Sequence, residues 1–234
     1  MPRPTFTVID EYDGDGTTES TIALSGTSPG SYDAIVVVGG GWGAGLTLTS
    51  WDSDIAGTAL TELISGQLTG GNQWSSIHVI YSDQTGYPTG AWTSDLDLSG
   101  NAQMRAALIG VSDVDMTLAA SARTRTAGSA NSSSGVPSVA VASGATLDRI
   151  LGGVGFYSTQ PNAEAGELSH ANNGAVSSSF YCWTEDGDGS TTTIELDNSS
   201  SYHMSAVSFI GSSGGGGAAY RYRRRGMNKT LLTM

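Results

Sequence analysis

The stretch DAIVVVGGGWGAG, residues 33–45, decides the fold. A β-branched run, Ile35 to Val38, leads straight into glycines. Gly39, Gly41 and Ala44 satisfy the G-x-G-x-x-A spacing of a dinucleotide-binding turn. That turn works only where the glycines open a helix, whose first amides hold a pyrophosphate. Here the chain continues as LTLTSWDSD, residues 46–54, with Leu46 and Leu48 alternating with Thr47 and Thr49. Alternation at period two in poor helix formers predicts a strand. No second parallel strand follows to place Asp52 or Asp54 on a ribose. The stretch reads as a buried strand, a glycine-rich turn or bulge, and a second strand. Trp42 stands at the tip of that turn, either packed by a neighbouring subunit or shown to a ligand.

The same pattern runs outward in both directions. TFTVI, STIALS, SSIHVIY, MRAALIGV, PSVAVA, ILGGVGFYS, SSFYCWT, TTTIEL and HMSAVSFI are short runs rich in Val, Ile, Thr and aromatic residues. Gly, Ser, Asn, Asp or Pro separates them, as between strands. In the run at 75–82, Ile77, Val79 and Tyr81 face one way, and His78 and Ile80 the other. Near the C-terminus, His203, Ser205, Val207 and Phe209 share one face, and Met204, Ala206 and Ile210 the opposite one. Helical signals are few. TALTELISGQL admits one or two turns near Leu60 to Leu68, and NAQMRAALIG reads as helix or strand. GSANSSSG, residues 128–135, reads as a loop. No strand is followed by a ten-residue amphipathic helix. The expected class is all-β, an antiparallel β-sandwich or jelly roll with an extended basic C-terminal tail.

Composition sets the outer limits. The chain has 234 residues, enough for a large core without staples, and one cysteine, Cys182, which excludes an intrachain disulfide. No apolar h-region opens the sequence and no run approaches a membrane span, so a chain made in the cytoplasm is expected, without membrane attachment. Of ten bases, Arg221, Arg223, Arg224, Arg225 and Lys229 lie in the last 14 residues, where there is no acid. The remaining five bases face all 22 acids. Such a body repels nucleic acid and anionic membranes, so a nucleic-acid partner is not expected. The layout expected is an N-terminal arm or first strand (1–19), a β domain (20–210), a Gly/Ser-rich linker (211–219) and an Arg-rich anchor tail (220–234). A tail of this kind orders only against a partner. Its interleaved Arg and Tyr admit two readings, a grip on nucleic acid or insertion of the arginines and Lys229 into an acidic groove on a partner, with Leu231, Leu232 and Met234 as apolar anchors, and the acidic body favours the second.

Motifs with chemical content are sparse. GTSPG, residues 26–30, has nucleophile-elbow spacing, but Pro29 after Ser28 has no N–H to serve an oxyanion. DGDG (13–16) and EDGDGS (185–190) resemble the start of a calcium loop, making Asp13, Asp15, Asp186 and Asp188 candidates for a weak Ca²⁺ site. Neither has the glutamate expected at the twelfth loop position, which falls on Leu24 or Asp197, and Asp-Gly is also a common hairpin-turn pair. No other metal and no cofactor is expected. His78, His170 and His203 lack metal-ligand spacing, and Cys182 reads as a small buried hydrophobe. No nucleophile–base pair emerges, and no two carboxylates are singled out for glycoside chemistry. Trp42, Trp51, Trp74, Trp92 and Trp183 belong either to the core and subunit contacts or to a sugar-stacking platform.

SPGSYDAIVVVGGGWG, TALTELI with SSIHVIYSDQTG, and SYHMSAVSFIGSSGGGG followed by an Arg-rich terminus together resemble accessory virion proteins of tailed bacteriophages. These are β-sandwich modules of head decorations, head spikes and tail fibres. The resemblance covers roughly residues 20 to 225 and rests on patterns, not on invariant residues. It implies a non-enzymatic structural protein, located in the virion after assembly in the host cytoplasm. It implies partners among other virion proteins and copies of itself, as a trimer or pentamer. The alternative is a carbohydrate- or receptor-binding module that takes a host-surface glycan.

Overall fold

The computed structural model describes residues 2–14, 17–27, 32–43, 45, 47–68, 72–125, 127–143, 147–157, 167–172, 178–187, 191–195 and 201–212. The strands are β1 (Thr5–Tyr12), β2 (Glu19–Gly26), β3 (Ala34–Trp42), β4 (Trp51–Ile55), β5 (Thr58–Ala59), β6 (Thr61–Gln67), β7 (Gln73–Tyr81) and β8 (Trp92–Ser112). There follow β9 (Gly128–Ser132), β10 (Ser138–Ala142), β11 (Arg149–Tyr157), β12 (Glu167–Asn172), β13 (Ser178–Asp186), β14 (Thr191–Glu195) and β15 (Ser201–Phe209). One 3₁₀ turn, Ala120–Ala122, interrupts the β structure. The expected all-β antiparallel class is the one observed.

Eight strands form a nearly closed, barrel-like sheet ordered β5-β4-β8-β3-β7-β6, with β1 and β2 also paired to β8. The long β8 joins its two halves. Residues 92–98 pair with β2 and β4, and residues 103–112 pair with β1 and β3. A five-stranded sheet, β12-β13-β11-β15-β9, stacks on the barrel, and the ribbon β10-β14 covers its far side. Three apolar cores follow. Ile35, Val37, Trp74, Ile80, Leu96 and Leu108 fill the barrel. Val36, Val38, Ile77, Phe180, Cys182 and Val207 fill the junction of barrel and second sheet. Val139, Val141, Val154, Phe156, Trp183 and Met204 lie beneath the ribbon.

Strand β3 is the centre of this stack, and it corrects the expected turn. Gly39, Gly40 and Gly41 are not a turn or a bulge. They lie inside β3, in unbroken register with β7 on one side and β8 on the other. Their physical reason is close packing on both faces. A methyl on Gly39 would meet Leu96 Cδ2 of the barrel core at 2.5 Å, and one on Gly40 would meet Phe180 Cδ2 of the second sheet at 2.7 Å. From the opposite layer, a methyl on Gly155 of β11 would stand 2.6 Å from the Gly41 nitrogen and 2.7 Å from its oxygen. Two backbones approach here with no side chain between them, which only glycine permits. The second strand starts late: residues 47–50 are unpaired as strand, and β4 begins at Trp51.

Three further expectations change. TALTELISGQL is β5 and β6 with no helical turn. A bulge between Glu62 and Ile64 adds Leu63 as an extra residue, and both Leu63 and Ile64 pack on the junction core. Leu60, Leu63, Ile64 and Leu68 thereby acquire a helix-like spacing although the chain is extended. NAQMRAALIG is the second half of β8, where pairing on both edges overrides its helix formers. GSANSSSG begins as edge strand β9 on β15, with Ala130 against the third core. At the ends, residues 5–12 pair with β8 as β1, and Gly211 bridges to Val114.

Candidate functional site

Two places concentrate polar chemistry. The first is a ladder of aspartates on the outer face of the barrel. WDSDI and TSDLDL alternate at period two, so β4 and β8 turn Ser53, Ile55, Ser94, Leu96 and Leu98 inward and their aspartates outward. The register sets Asp52 directly opposite Asp97, and Asp54 directly opposite Asp95. Like charges facing each other across a strand pair are unfavourable. Partial burial first, then the neighbouring Asp54 and Asp97, raise the Asp95 carboxyl above the usual carboxylate range. Among the described residues none of the four forms an ion pair. The two D-x-D runs were visible in the sequence. Their register was not, because strands separated by some forty residues have to find each other first.

The second place is buried. Ser75 on β7 bonds across the layer junction to His203 Nδ1 at 2.8 Å and to Ser205 Oγ at 2.7 Å, both on β15. The ring edge that carries His203 Nε2 lies against Gly66 of β6, where a side chain would collide with it. A serine on a histidine has the form of a nucleophile–base pair. Here Ser75 is 0 % exposed and His203 2 %, and among the described residues no carboxylate orients the ring. A substrate has no approach, so the group acts as a polar junction between layers. Burial pulls His203 down from 6.5 to about 4, so the ring is neutral at pH 7. His78, on the barrel side of β7, is also pulled down to about 4 by burial, against a smaller opposing effect of Asp52.

The residues singled out by sequence fall as follows. Asp13 is exposed, 3.7 Å from Arg105, beside Gly14 at φ 63°. Asp186 ends β13 between Arg3 and Arg149, the latter at 3.5 Å. Both carboxylates are thus turned toward guanidinium groups. Among the described residues no group of three or more His, Cys, Asp or Glu is placed to hold a metal ion. Asp15 and Asp188 lie outside the described residues, as do His170's side chain and the anchor residues Arg221, Arg223, Arg224, Arg225, Lys229, Leu231 and Leu232. Trp74, Trp92 and Trp183 are buried, and Trp51 and Trp42 are half-buried, Trp42 as the last residue of β3. Among the described residues Val136 is the one large apolar side chain that is exposed. Cys182 is wholly buried in the junction core, and burial drives its thiol far above the usual range, so it is inert at neutral pH.

Sequence reasoning missed the connector between the layers. Arg123 reaches Asp83 with two bonds, at 2.7 and 2.5 Å, and lies 4.8 Å above the Tyr81 ring. Arg125 pairs with Asp148, whose side chain is 0 % exposed. The stretch RTR, residues 123–125, carried no motif to signal either contact. No helix among the described residues is long and apolar enough to cross a membrane. No known protein family, curated protein or solved structure matches this chain.

Proposed function

We propose that this chain is a non-enzymatic structural protein of a tailed-phage virion, a peripheral β module that assembles with copies of itself through its basic tail. The observation that carries this reading is the separation of complementary charge. Four unpaired aspartates occupy one outer sheet face, while the arginine cluster is tethered at the opposite end of β8. The described fold ends at Ser212, whose amide bonds the carbonyl of Asp113 at 3.0 Å, just past β8. Asp95 and Asp97 lie far back along the same strand, a path of roughly 50 Å at about 3.3 Å per residue. Residues 213–220 span at most ~28 Å when fully extended. Further along the tail, Arg225 and Lys229 stand 13 and 17 positions past Ser212, within roughly 45 and 60 Å when fully extended, so the tail can reach such a face, and the proposed assembly places it on a neighbouring copy's. A contact of one copy's tail on the next copy's face is heterologous, and a heterologous contact that closes gives a ring such as a trimer or pentamer. Its placement on the head or tail of a particle rests on the sequence resemblance.

Deleting residues 220–234 is expected to leave the described fold intact and to abolish incorporation into particles. Occupancy of particles equal to that of the full chain would remove the anchor role.

A further inference from the structure

We infer that the Ser75–His203–Ser205 triangle is an acid-released latch, which holds the β9–β15 edge of the second sheet against the barrel and lets it lift when His203 takes up a proton. This inference does not depend on the assembly reading. The triangle occupies the polar end of the layer junction. Its apolar end is closed by Val207 and Phe209 against Ile77, Val79 and Tyr81. At the polar end the layers are thin: Gly155 stands opposite His203 on β11, and Gly66 backs the ring on β6. Few apolar contacts there oppose separation.

Among the described residues no charged group faces the ring to accept an imidazolium. β11 presents Gly155 to it, β9 presents Asn131, β7 presents Ser75 and β6 presents Gly66. The one acid on β6, Glu62, accepts a bond from Ser65 at 2.8 Å, four positions along from Gly66. Of the other titratable groups of β7, His78 belongs to the opposite, barrel-facing side, and Tyr81 stands at the far end of the strand, under the Arg123 guanidinium. β10, which packs on the far side of β15, carries no ionisable residue. Arg149, on β11, stands at the other end of the junction, opposite Phe209. A proton on His203 therefore places an uncompensated charge in a buried apolar setting.

The sign follows from burial. The unfolded ring takes its proton near 6.5 and the folded ring near 4. Stability from the neutral ring is complete above 6.5, is lost as the pH falls toward 4, and changes no further below that. At pH 4.5 the linkage gives an opening equilibrium roughly 60-fold larger than at pH 7.

Amide hydrogen exchange, corrected for intrinsic rates, on the full chain and on His203→Gln at pH 7 and 4.5 tests this. The full chain should lose roughly 60-fold more protection than the variant at residues 128–132 and 201–205. At β2 and β4 the two chains should differ little, since His78 titrates in both. An equal loss in both chains, or an excess spread evenly over β2 and β4, overturns the latch. If His203→Gln does not fold, the His203 ring is followed by NMR in the unaltered chain. Its titration should share its midpoint with the loss of β15 protection. A ring that titrates near 6.5 while β15 stays protected overturns the inference.

Discussion

Gly155→Val is expected to lower stability by about 3 kcal/mol or more, because the added side chain has nowhere to go. Overpacking is tolerable when the obstacle is the end of a flexible side chain. Here the first atom met is the backbone oxygen of Trp74 on β7, and next come the Gly41 nitrogen and oxygen of β3, at 2.6 and 2.7 Å from a single methyl. Both belong to a strand paired on each edge, so relief requires the second sheet to move away from the barrel as a whole. Such movement would open the junction core of Val36, Val38, Phe180 and Val207. Gly90, where a methyl meets nothing within 4 Å, supplies the comparison, and Gly90→Ala should change stability by less than about 0.5 kcal/mol. Urea denaturation of the two variants measures the difference. Equal midpoints would show that the layers are not packed backbone to backbone at this place.

Arg125→Leu is expected to cost roughly 3 to 5 kcal/mol, the range for removing one partner of a buried ion pair. The Asp148 carboxylate is 0 % exposed while Arg125 is 32 % exposed, and without the guanidinium the carboxylate keeps its burial and loses this ion pair. Most of the loss is a desolvation cost, so a second change should recover part of it. Arg125→Leu with Asp148→Asn should be more stable than Arg125→Leu alone. Arg3→Leu provides the contrast. Its pair with Asp186 is 38 % and 59 % exposed, and solvent screening limits its loss to under about 1 kcal/mol. Chemical denaturation of the four chains distinguishes buried from exposed pairing. A similar small loss for Arg125→Leu and Arg3→Leu would contradict the assignment of Arg125 as the lock of the connector.

The class of fold was legible because strand alternation is a local property. Ile77, Val79 and Tyr81 pack on the junction core, while Ile80 packs in the barrel, as their parity requires. Val207 and Phe209 part from Met204 and Ala206 in the same way. What escaped the sequence depends on neighbours distant along the chain. Three glycines after a β-branched run look like a turn unless a second layer is known to press on them. Leu60, Leu63, Ile64 and Leu68 look helical unless the bulge is known. Ser75 and His203 are 128 positions apart, and no spacing rule joins them. The aspartates of the outer face were visible as two D-x-D runs, while their opposition came from register alone.

Mass measurement in solution addresses the central claim, that copies of this chain assemble through tail and aspartate face. The full chain is compared by light scattering at moderate salt with a variant carrying Asp52→Asn, Asp54→Asn, Asp95→Asn and Asp97→Asn. Removing the opposed charges should leave the fold as stable as before or slightly more so, by a few tenths of a kcal/mol for each relieved pair. A loss of assembly therefore cannot be attributed to unfolding. The account predicts a closed oligomer for the full chain, weakened by added salt, and a single-copy mass for the variant. An unchanged oligomer in the four-asparagine chain would contradict it.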